Sequence, residues 1–149
     1  MTSWYKSFIK ALINDISSSE QISPPDFYGC TINDLDKLMQ SANVSRLPEI
    51  YRQFMLKMGK GYKSRIDDLS WTVDELLKNN NWNNFFGEDI YIFMYYEPDF
   101  TVFGFDTKSF NENPIVLFWD ENKEWGNPEM ENISLTLSEF FIDFFAPDA

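Results

Sequence analysis

Three pairs of adjacent carboxylates are the residues of this sequence most capable of chemistry. They are Asp67-Asp68, Glu88-Asp89 and Asp120-Glu121. Two carboxyl groups about 5–10 Å apart, one of them with a raised pKa, suffice for glycoside hydrolysis. Each pair lies beside a predicted loop or strand end, where neighbouring acids commonly form a solvated turn. The pairs therefore support two interpretations, a carboxylate-dependent hydrolase or solvated turns, and the second is favoured.

Histidine is absent from the chain, which limits the other kinds of chemistry. The chain lacks the residue best suited to acid–base catalysis near neutral pH and the commonest nitrogen ligand for zinc. The sequence also contains no GxxxxGK[ST], GxGxxG or CxxC motif and no Asp-rich calcium loop. We therefore expect no catalytic residues, no cofactor and no metal, and a chain that is not an enzyme.

A Gly-Lys-Gly segment at 59–61 is a further candidate, because Lys57 precedes it and Lys63 and Arg65 follow it. Glycine N–H groups and cations can together bind a phosphate. The segment follows a predicted helix, however, whereas anions prefer helix N-termini and basic residues suit helix C-termini. A structural role is therefore favoured over a phosphate site.

The acidic residues are concentrated in the second half of the chain. The formal net charge is −12; residues 1–65 carry nine Lys or Arg and six Asp or Glu, whereas residues 66–149 carry three and eighteen, a net −15. This field repels phosphate backbones and attracts a basic partner. We expect no nucleic-acid binding through this half, and the alternative is that the acids only confer solubility.

Length and composition indicate one soluble domain over residues 1–149. Hydrophobic residues make up 44% and aromatic residues 18% of the 149, enough apolar area for a core. Apolar runs such as 91–96 are far shorter than the roughly 20 residues that span a bilayer. Lys6 and Lys10 interrupt the N-terminal apolar stretch, unlike a signal peptide, and Cys30 has no internal disulfide partner. We expect a cytoplasmic protein without a membrane partner and with an inert thiol.

Apolar residues at spacings of three and four predict the helices. The first covers 4–16 and ends before the serines at 17–19. The second follows Thr31 as its N-cap and ends near Asn43. Its apolar side is expected to comprise Ile32, Leu35, Leu38 and Met39.

The third helix is predicted to have Pro48 at its first position and to end at Gly59, which can adopt a left-handed conformation. Two more helices are predicted from capping-box spacing, and their N-terminal pairs are Thr72 with Glu75 and Thr136 with Glu139. Helical periodicity predicts that the following residues are largely buried. They are Tyr51, Phe54, Met55, Phe140, Phe141 and Phe144.

From residue 90 the apolar period changes to two, which predicts strands at 90–96, 100–106 and 114–119. The connections are short, so neighbouring strands should run antiparallel in sequence order. Helices followed by strands and a last helix predict an α+β fold, a single domain with an antiparallel β-meander packed by several helices. Some strand aromatics could be exposed anchors for a partner, or helices could cover both sheet faces.

Several short motifs, in this order, resemble the SUKH superfamily, the Smi/Knr-type immunity fold. They are Leu-Pro-Glu-Ile-Tyr-Arg-Gln-Phe-Met at 47–55 with the glycines at 59–61, Phe-Gly-Phe-Asp at 103–106, Pro-Ile-Val-Leu-Phe-Trp at 114–119 and Thr-Leu-Ser-Glu-Phe at 136–140. The resemblance covers residues 30–145, and the helix and loop at 1–29 lie outside it. It implies a SUKH-like fold without shared catalytic residues.

The resemblance also implies a function in protein binding. Many bacterial relatives neutralise a cognate toxin, often a nuclease, and some fungal relatives are regulatory hubs. An immunity protein against a secreted or contact-delivered toxin is therefore the first hypothesis, a regulatory or scaffold protein the second, and a carboxylate-dependent hydrolase the third.

Acidic residues that flank the predicted strand ends are the expected contacts for a basic toxin, because exposed loops commonly carry interactions. They are Glu88, Asp89, Glu97, Asp99, Asp120, Glu121 and Glu124. The sequence does not indicate an oligomeric state.

Overall fold

The computed structural model describes residues 3–20, 27–62, 69–78, 85–87, 89–96, 100–120 and 128–146. The helices are α1 (Ser3–Glu20), α2 (Ile32–Ala42), α3 (Glu49–Met58), α4 (Val73–Lys78) and α5 (Leu137–Phe145). The strands are β1 (Phe27–Tyr28), β2 (Gly61–Tyr62), β3 (Leu69–Ser70), β4 (Ile90–Tyr96), β5 (Thr101–Asp106), β6 (Ile115–Trp119) and β7 (Glu131–Thr136).

Strands β3 to β7 form one antiparallel sheet in sequence order, so the predicted α+β fold with a β-meander is confirmed. The three predicted strands match β4, β5 and β6 to within one residue at each end. The two edge strands were not predicted. Strand β3 is only two residues long, and β7 contains polar residues and a bulge where Ser134 has φ 62°. A bulge on an edge strand hinders pairing with another chain.

The main core lies between one face of the sheet and helices α3 and α5. The hydroxyls of Tyr51 in α3 and Tyr91 in β4 are 2.9 Å apart, and the ring of Phe140 in α5 meets that of Phe93 in β4 at 5.4 Å. Helix α1 packs on α3 and α5 through residues such as Ile9. Five of the six residues predicted to be buried are fully so, and Phe144 is half-buried.

The opposite face of the sheet carries a smaller apolar cluster around Trp119, which is 0% exposed. The rings of Phe85 and Phe86 contact it edge-on, at 5.3 and 5.9 Å between centroids. The described aromatics of strands β3 to β7 are therefore buried or half-buried. Exposed aromatic rings lie elsewhere, at Trp4 in α1, at Tyr28 in β1 and at Phe110 in the loop after β5, and Trp125 lies outside the described residues.

The helix ends differ from the predictions in three places. Helix α1 continues to Glu20, because the Ser17 hydroxyl donates to the carbonyl of Ile13 at 2.7 Å and is satisfied within the helix. Pro48 is the N-cap of α3 rather than its first residue. Gly59 ends α3 with φ −66°, so it does not adopt the expected left-handed conformation.

The predicted helix caps are confirmed. Thr31 and Asp34 form a capping box on α2, as do Thr136 and Glu139 on α5. Thr72 and Glu75 exchange the same pair of hydrogen bonds before α4. The expected apolar side of α2 is wrong for Ile32, which is 60% exposed at the first position of the helix, whereas Leu35 and Leu38 are buried.

Candidate functional site

The structure places two of the predicted partner-binding acids, Asp89 and Asp120, at opposite ends of the sheet. Asp89 precedes Ile90, which pairs with the last residue of β5, whereas Asp120 follows Trp119, which pairs near the beginning of β5. Four residues of β5 separate these pairings, a distance of about 13 Å. The other predicted acids lie outside the described residues; they are Glu88, Glu97, Asp99, Glu121 and Glu124.

Asp89 is exposed and lies in a cleft of about 340 Å³ at one end of the sheet. Its carbonyl accepts a hydrogen bond of 2.7 Å from the N–H of Thr107, which fixes the backbone beside the cleft. Arg46 and Lys108 line the same cleft. The charge around Asp89 is therefore mixed.

The other wall of this cleft is the loop at 43–46, which joins α2 to α3. Asn43 adopts a left-handed conformation with φ 55°, and its N–H donates to the carbonyl of Gln40 at 3.2 Å. Asparagine tolerates this conformation better than most residues, so it ends α2 at this point. Pro48 then begins α3 as its N-cap, which leaves a short loop held between two helix ends.

Arg46 of this loop contacts Phe110 of the loop after β5. The guanidinium carbon of Arg46 lies 3.8 Å from the centroid of the Phe110 ring, and Nη2 lies 3.8 Å from Oε1 of Glu112. Glu112 is itself held, because its carboxylate and its carbonyl accept hydrogen bonds from the N–H groups of Glu49 and Ile50. An exposed cation–π contact of this kind contributes about 0.5–1 kcal/mol. Two weak contacts therefore favour this arrangement of the Arg46 side chain at the surface.

Two further clefts adjoin the same loop. One, of about 500 Å³, includes Asp36, Gln40 and Asn43, and the other, of about 260 Å³, includes Arg46 and Arg52. We call the loop at 43–46, its three clefts and Phe110 the α2–α3 surface. Arginine and aromatic side chains dominate the energetics of protein interfaces, so this surface has the composition of a protein-binding site.

Asp120 is half-buried at the other end of the sheet, next to the buried Trp119. Its side chain or backbone also interacts with another group of the folded chain, so Asp120 is not free of partners. The acidic pair Asp67-Asp68 lies outside the described residues.

The Gly-Lys-Gly segment has a structural role. The Lys60 ammonium lies 3.8 Å from the carboxylate of Asp34, and the Lys60 N–H donates to the carbonyl of Tyr28 at 2.8 Å. The carbonyl of Gly59 accepts from the N–H of Val73. These groups connect α3 to β1 and α4, and Lys63 and Arg65 lie outside the described residues.

The pKa shifts of the carboxylates follow from helix capping. The hydrogen bond that Asp34 accepts from the N–H of Thr31, at 2.9 Å, lowers the pKa of Asp34. The corresponding bond from Thr136 lowers the pKa of Glu139. A general acid needs the opposite shift, so these two carboxylates are unsuited to that role.

The raised pKa values belong to residues of the core. Burial raises the pKa of the Cys30 thiol to about 11, with a smaller contribution from the charge of Asp34. Burial likewise raises the pKa values of Tyr51 and Tyr91, whose hydroxyls meet in the core. These groups are therefore neutral at physiological pH.

The described part of the chain has neither a candidate metal cluster nor a candidate membrane-spanning helix. Within it, His, Cys, Asp and Glu residues form no group of three that could hold a metal ion. None of the described helices combines the length and the apolar character needed to cross a membrane.

The pairing of Arg46 with Phe110 could not be found from the sequence, since 64 positions separate the two residues and no motif connects them. The short loop after α2 was the only local signal, given by Asn43 and Pro48. No family model matches the sequence, and no curated protein matches it at a significant level. The function must therefore be inferred from the residues of the chain itself.

Proposed function

We propose that this chain is a non-enzymatic, cytoplasmic protein-binding domain that acts as an immunity protein. It neutralises a cognate secreted or contact-delivered toxin, a basic protein such as a nuclease, by direct contact. The observation that carries the proposal is the charge of the surface. Among the described residues of the second half, seven acids but only two lysines are exposed.

The exposed acids come from several elements, so the negative field is broad. They are Asp74, Asp89, Asp106, Glu129, Glu131, Glu139 and Asp143, and the exposed lysines are Lys78 and Lys108. A nuclease must present a basic cleft to its substrate, and an acidic surface can occupy that cleft in place of phosphate groups. Inhibition by occupation requires no chemical step, which agrees with the absence of histidine from the sequence.

The α2–α3 surface supplies a second contribution to binding. Electrostatic attraction mainly accelerates association, whereas buried aromatic and arginine side chains slow dissociation. The contact between Arg46 and Phe110 favours one orientation of the guanidinium before a partner arrives, which reduces the conformational entropy lost on binding. Asp89 lines the same cleft as this pair, so of the two predicted acids that the structure describes it is the one placed to act with them.

The experiment begins by co-expressing the chain with the product of a neighbouring gene that encodes a toxin domain. We expect the chain to protect the cells and to co-purify with the toxin. Association rates are then measured between about 0.01 and 1 M salt, where the Debye length falls from about 30 to 3 Å. The rate should fall steeply with salt, while dissociation changes less.

Two charge variants distinguish toxin binding at one end of the sheet from binding at the other. Glu88→Gln with Asp89→Asn removes charge at one end, and Asp120→Asn with Glu121→Gln removes it at the other. Because Asp89 and Asp120 are at opposite ends, a toxin that engages one end should associate more slowly with only one variant. Co-purification with a partner that is not toxic would favour a regulatory protein instead. An association rate that neither salt nor either variant changes would refute binding through this acidic surface.

A further inference from the structure

A groove of about 910 Å³ lies between α1 and α3, close to β1. Lys6 and Lys10 line it from α1, and Lys57 lines it from α3. The two α1 lysines are four residues apart and so project from one side of that helix. All three side chains are exposed, and they place three positive charges around one concave surface of an acidic protein.

These three lysines have no counter-charge in the described part of the chain. No carboxylate is among the described residues that line the groove. None of the three ammonium groups forms an ion pair with a described residue. Lys57 is in the last turn of α3, where a helix dipole favours a cation, but Lys6 and Lys10 are far from the C-terminus of α1. The helix dipole therefore does not explain the cluster.

Between the lysines the groove lining combines apolar side chains with the polar Asn14 and Gln53. Ile13 of α1, Leu56 of α3 and Phe27 of β1 line it, and the last two are only half-buried. Gly29 keeps the β1 side close to α3, since a Cβ at this position would lie 1.8 Å from the carbonyl oxygen of Leu56. Apolar surface beneath a rim of cations suits a ligand that has carboxylates and apolar side chains together.

We propose that this groove binds an acidic, amphipathic polypeptide segment of a partner protein. Carboxylates of the segment pair with the three lysines, and its apolar side chains contact Phe27 and Leu56. The net charge of −12 opposes a long phosphate polyanion, whereas a short acidic segment meets only the local positive field. From Lys6 to Ile13 the groove follows α1 for about 11 Å, which accommodates three or four extended residues.

This inference goes beyond the proposed function and does not depend on it. A basic toxin is attracted to the acidic second half, whereas the groove is formed by the first half and selects the opposite charge. Helix α3 connects the groove to the α2–α3 surface, since that surface adjoins the N-terminal end of the helix and Lys57 of the groove is in its last turn. The chain can therefore hold two partners of opposite charge.

The test uses a fluorescein-labelled peptide of about 14 residues in which Glu and Leu alternate, so that an extended chain has one acidic and one apolar side. Binding to the whole chain is followed by fluorescence anisotropy at low salt. The groove variant is Lys6→Gln with Lys10→Gln and Lys57→Gln. The matched control is Lys37→Gln with Lys78→Gln and Lys108→Gln, which changes the net charge equally at exposed lysines outside the groove.

We expect the groove variant to bind the peptide about tenfold more weakly and the control to stay within about twofold of wild type, given the usual strength of exposed ion pairs. A peptide with Gln in place of Glu, and another with Ser in place of Leu, should each bind at least about fivefold more weakly. Unchanged melting curves verify that both variants fold.

Three results would overturn the proposal. The first is that the acidic peptide shows no saturable binding to the chain. Another is an equal loss of affinity in the groove variant and the control. The third is tighter binding of single-stranded DNA of about 20 nucleotides with the same dependence on Lys6, Lys10 and Lys57, which would assign the groove to nucleic acid.

Discussion

Phe54 of α3 and Phe141 of α5 stack with their ring centroids 4.1 Å apart and their planes at 14°. Both side chains are 0% exposed. The contact joins two helices that are 87 positions apart in the sequence and lie on the same face of the sheet. The two rings therefore connect the first half of the chain to its last helix.

Truncation of either ring should strongly destabilise the fold. Phe54→Ala and Phe141→Ala should each lower the free energy of unfolding by about 3–5 kcal/mol, because each leaves a cavity in the core. The double variant should show a coupling of about 0.5–1.5 kcal/mol, typical of paired aromatic rings. Urea titration measures all three. Phe110→Ala, at an exposed ring, is the control, and a loss below about 1 kcal/mol at Phe54 would contradict its burial.

Gly29→Ala should be much more damaging than Gly87→Ala. The new methyl at position 29 would lie 1.8 Å from the carbonyl oxygen of Leu56, so β1 and α3 must separate, at a cost of about 3 kcal/mol or more. At Gly87 a Cβ would have no atom of the described residues within 4 Å apart from its chain neighbours, and the expected cost is the strain of φ +92°, about 1 kcal/mol. Thermal melting of the two variants compares them directly. Equal losses of stability in the two variants would show that β1 does not approach α3 closely at Gly29.

Part of the acid sensitivity of the fold should come from Asp34. Its pKa lies below the ordinary value of 3.8 in the folded state, so its ionised form stabilises the fold above that value. This stability is lost as the pH falls through the lowered pKa. Asp34→Asn should therefore be less stable than wild type at neutral pH but lose less stability on acidification below about pH 4.

The measurement is urea unfolding at several pH values. Asp36→Asn is the matched control, because Asp36 is an exposed acid on the same helix that takes no part in the capping box. This variant keeps the capping box, so its stability at neutral pH should stay close to that of wild type. Parallel profiles for wild type and Asp34→Asn would show that the capping box does not shift the Asp34 titration.

The thiol of Cys30 should resist alkylation in the folded protein. With its pKa near 11, only about one thiol in a thousand is ionised at pH 8, and the side chain is also buried. Iodoacetamide should therefore label the native chain far more slowly than the chain in urea, as followed by mass spectrometry. Labelling at equal rates in the two conditions would place Cys30 at the surface.

The sequence alone determined the elements whose signals are local. Capping boxes involve side chains three positions apart, so Thr31, Thr72 and Thr136 identified three helix starts correctly. Segments of five to seven residues rich in β-branched and aromatic side chains likewise located β4, β5 and β6, and the short connections between them predicted the antiparallel order.

Elements that depend on neighbours were missed or misplaced. Strand β3 has two residues and exists because Leu69 and Ser70 pair with Tyr96 and Tyr95. Gly59 was expected to adopt a left-handed backbone conformation, but it does not. Its lack of a side chain instead allows the end of α3 to approach Cys30, since a Cβ at position 59 would lie 2.9 Å from Cβ of Cys30. Neither feature has a signal within a few residues, because each is decided by a distant part of the chain.

The candidate sites likewise combine features that follow from the sequence with features that only the tertiary structure shows. Composition established the acidic second half and the lack of histidine, which follow from residue counts and need no coordinates. Only the tertiary structure separated Asp89 from Asp120, brought Arg46 onto Phe110 and gathered three lysines around one groove. A binding surface is made of side chains from different elements, and their proximity is set by how the helices pack on the sheet rather than by spacing along the chain.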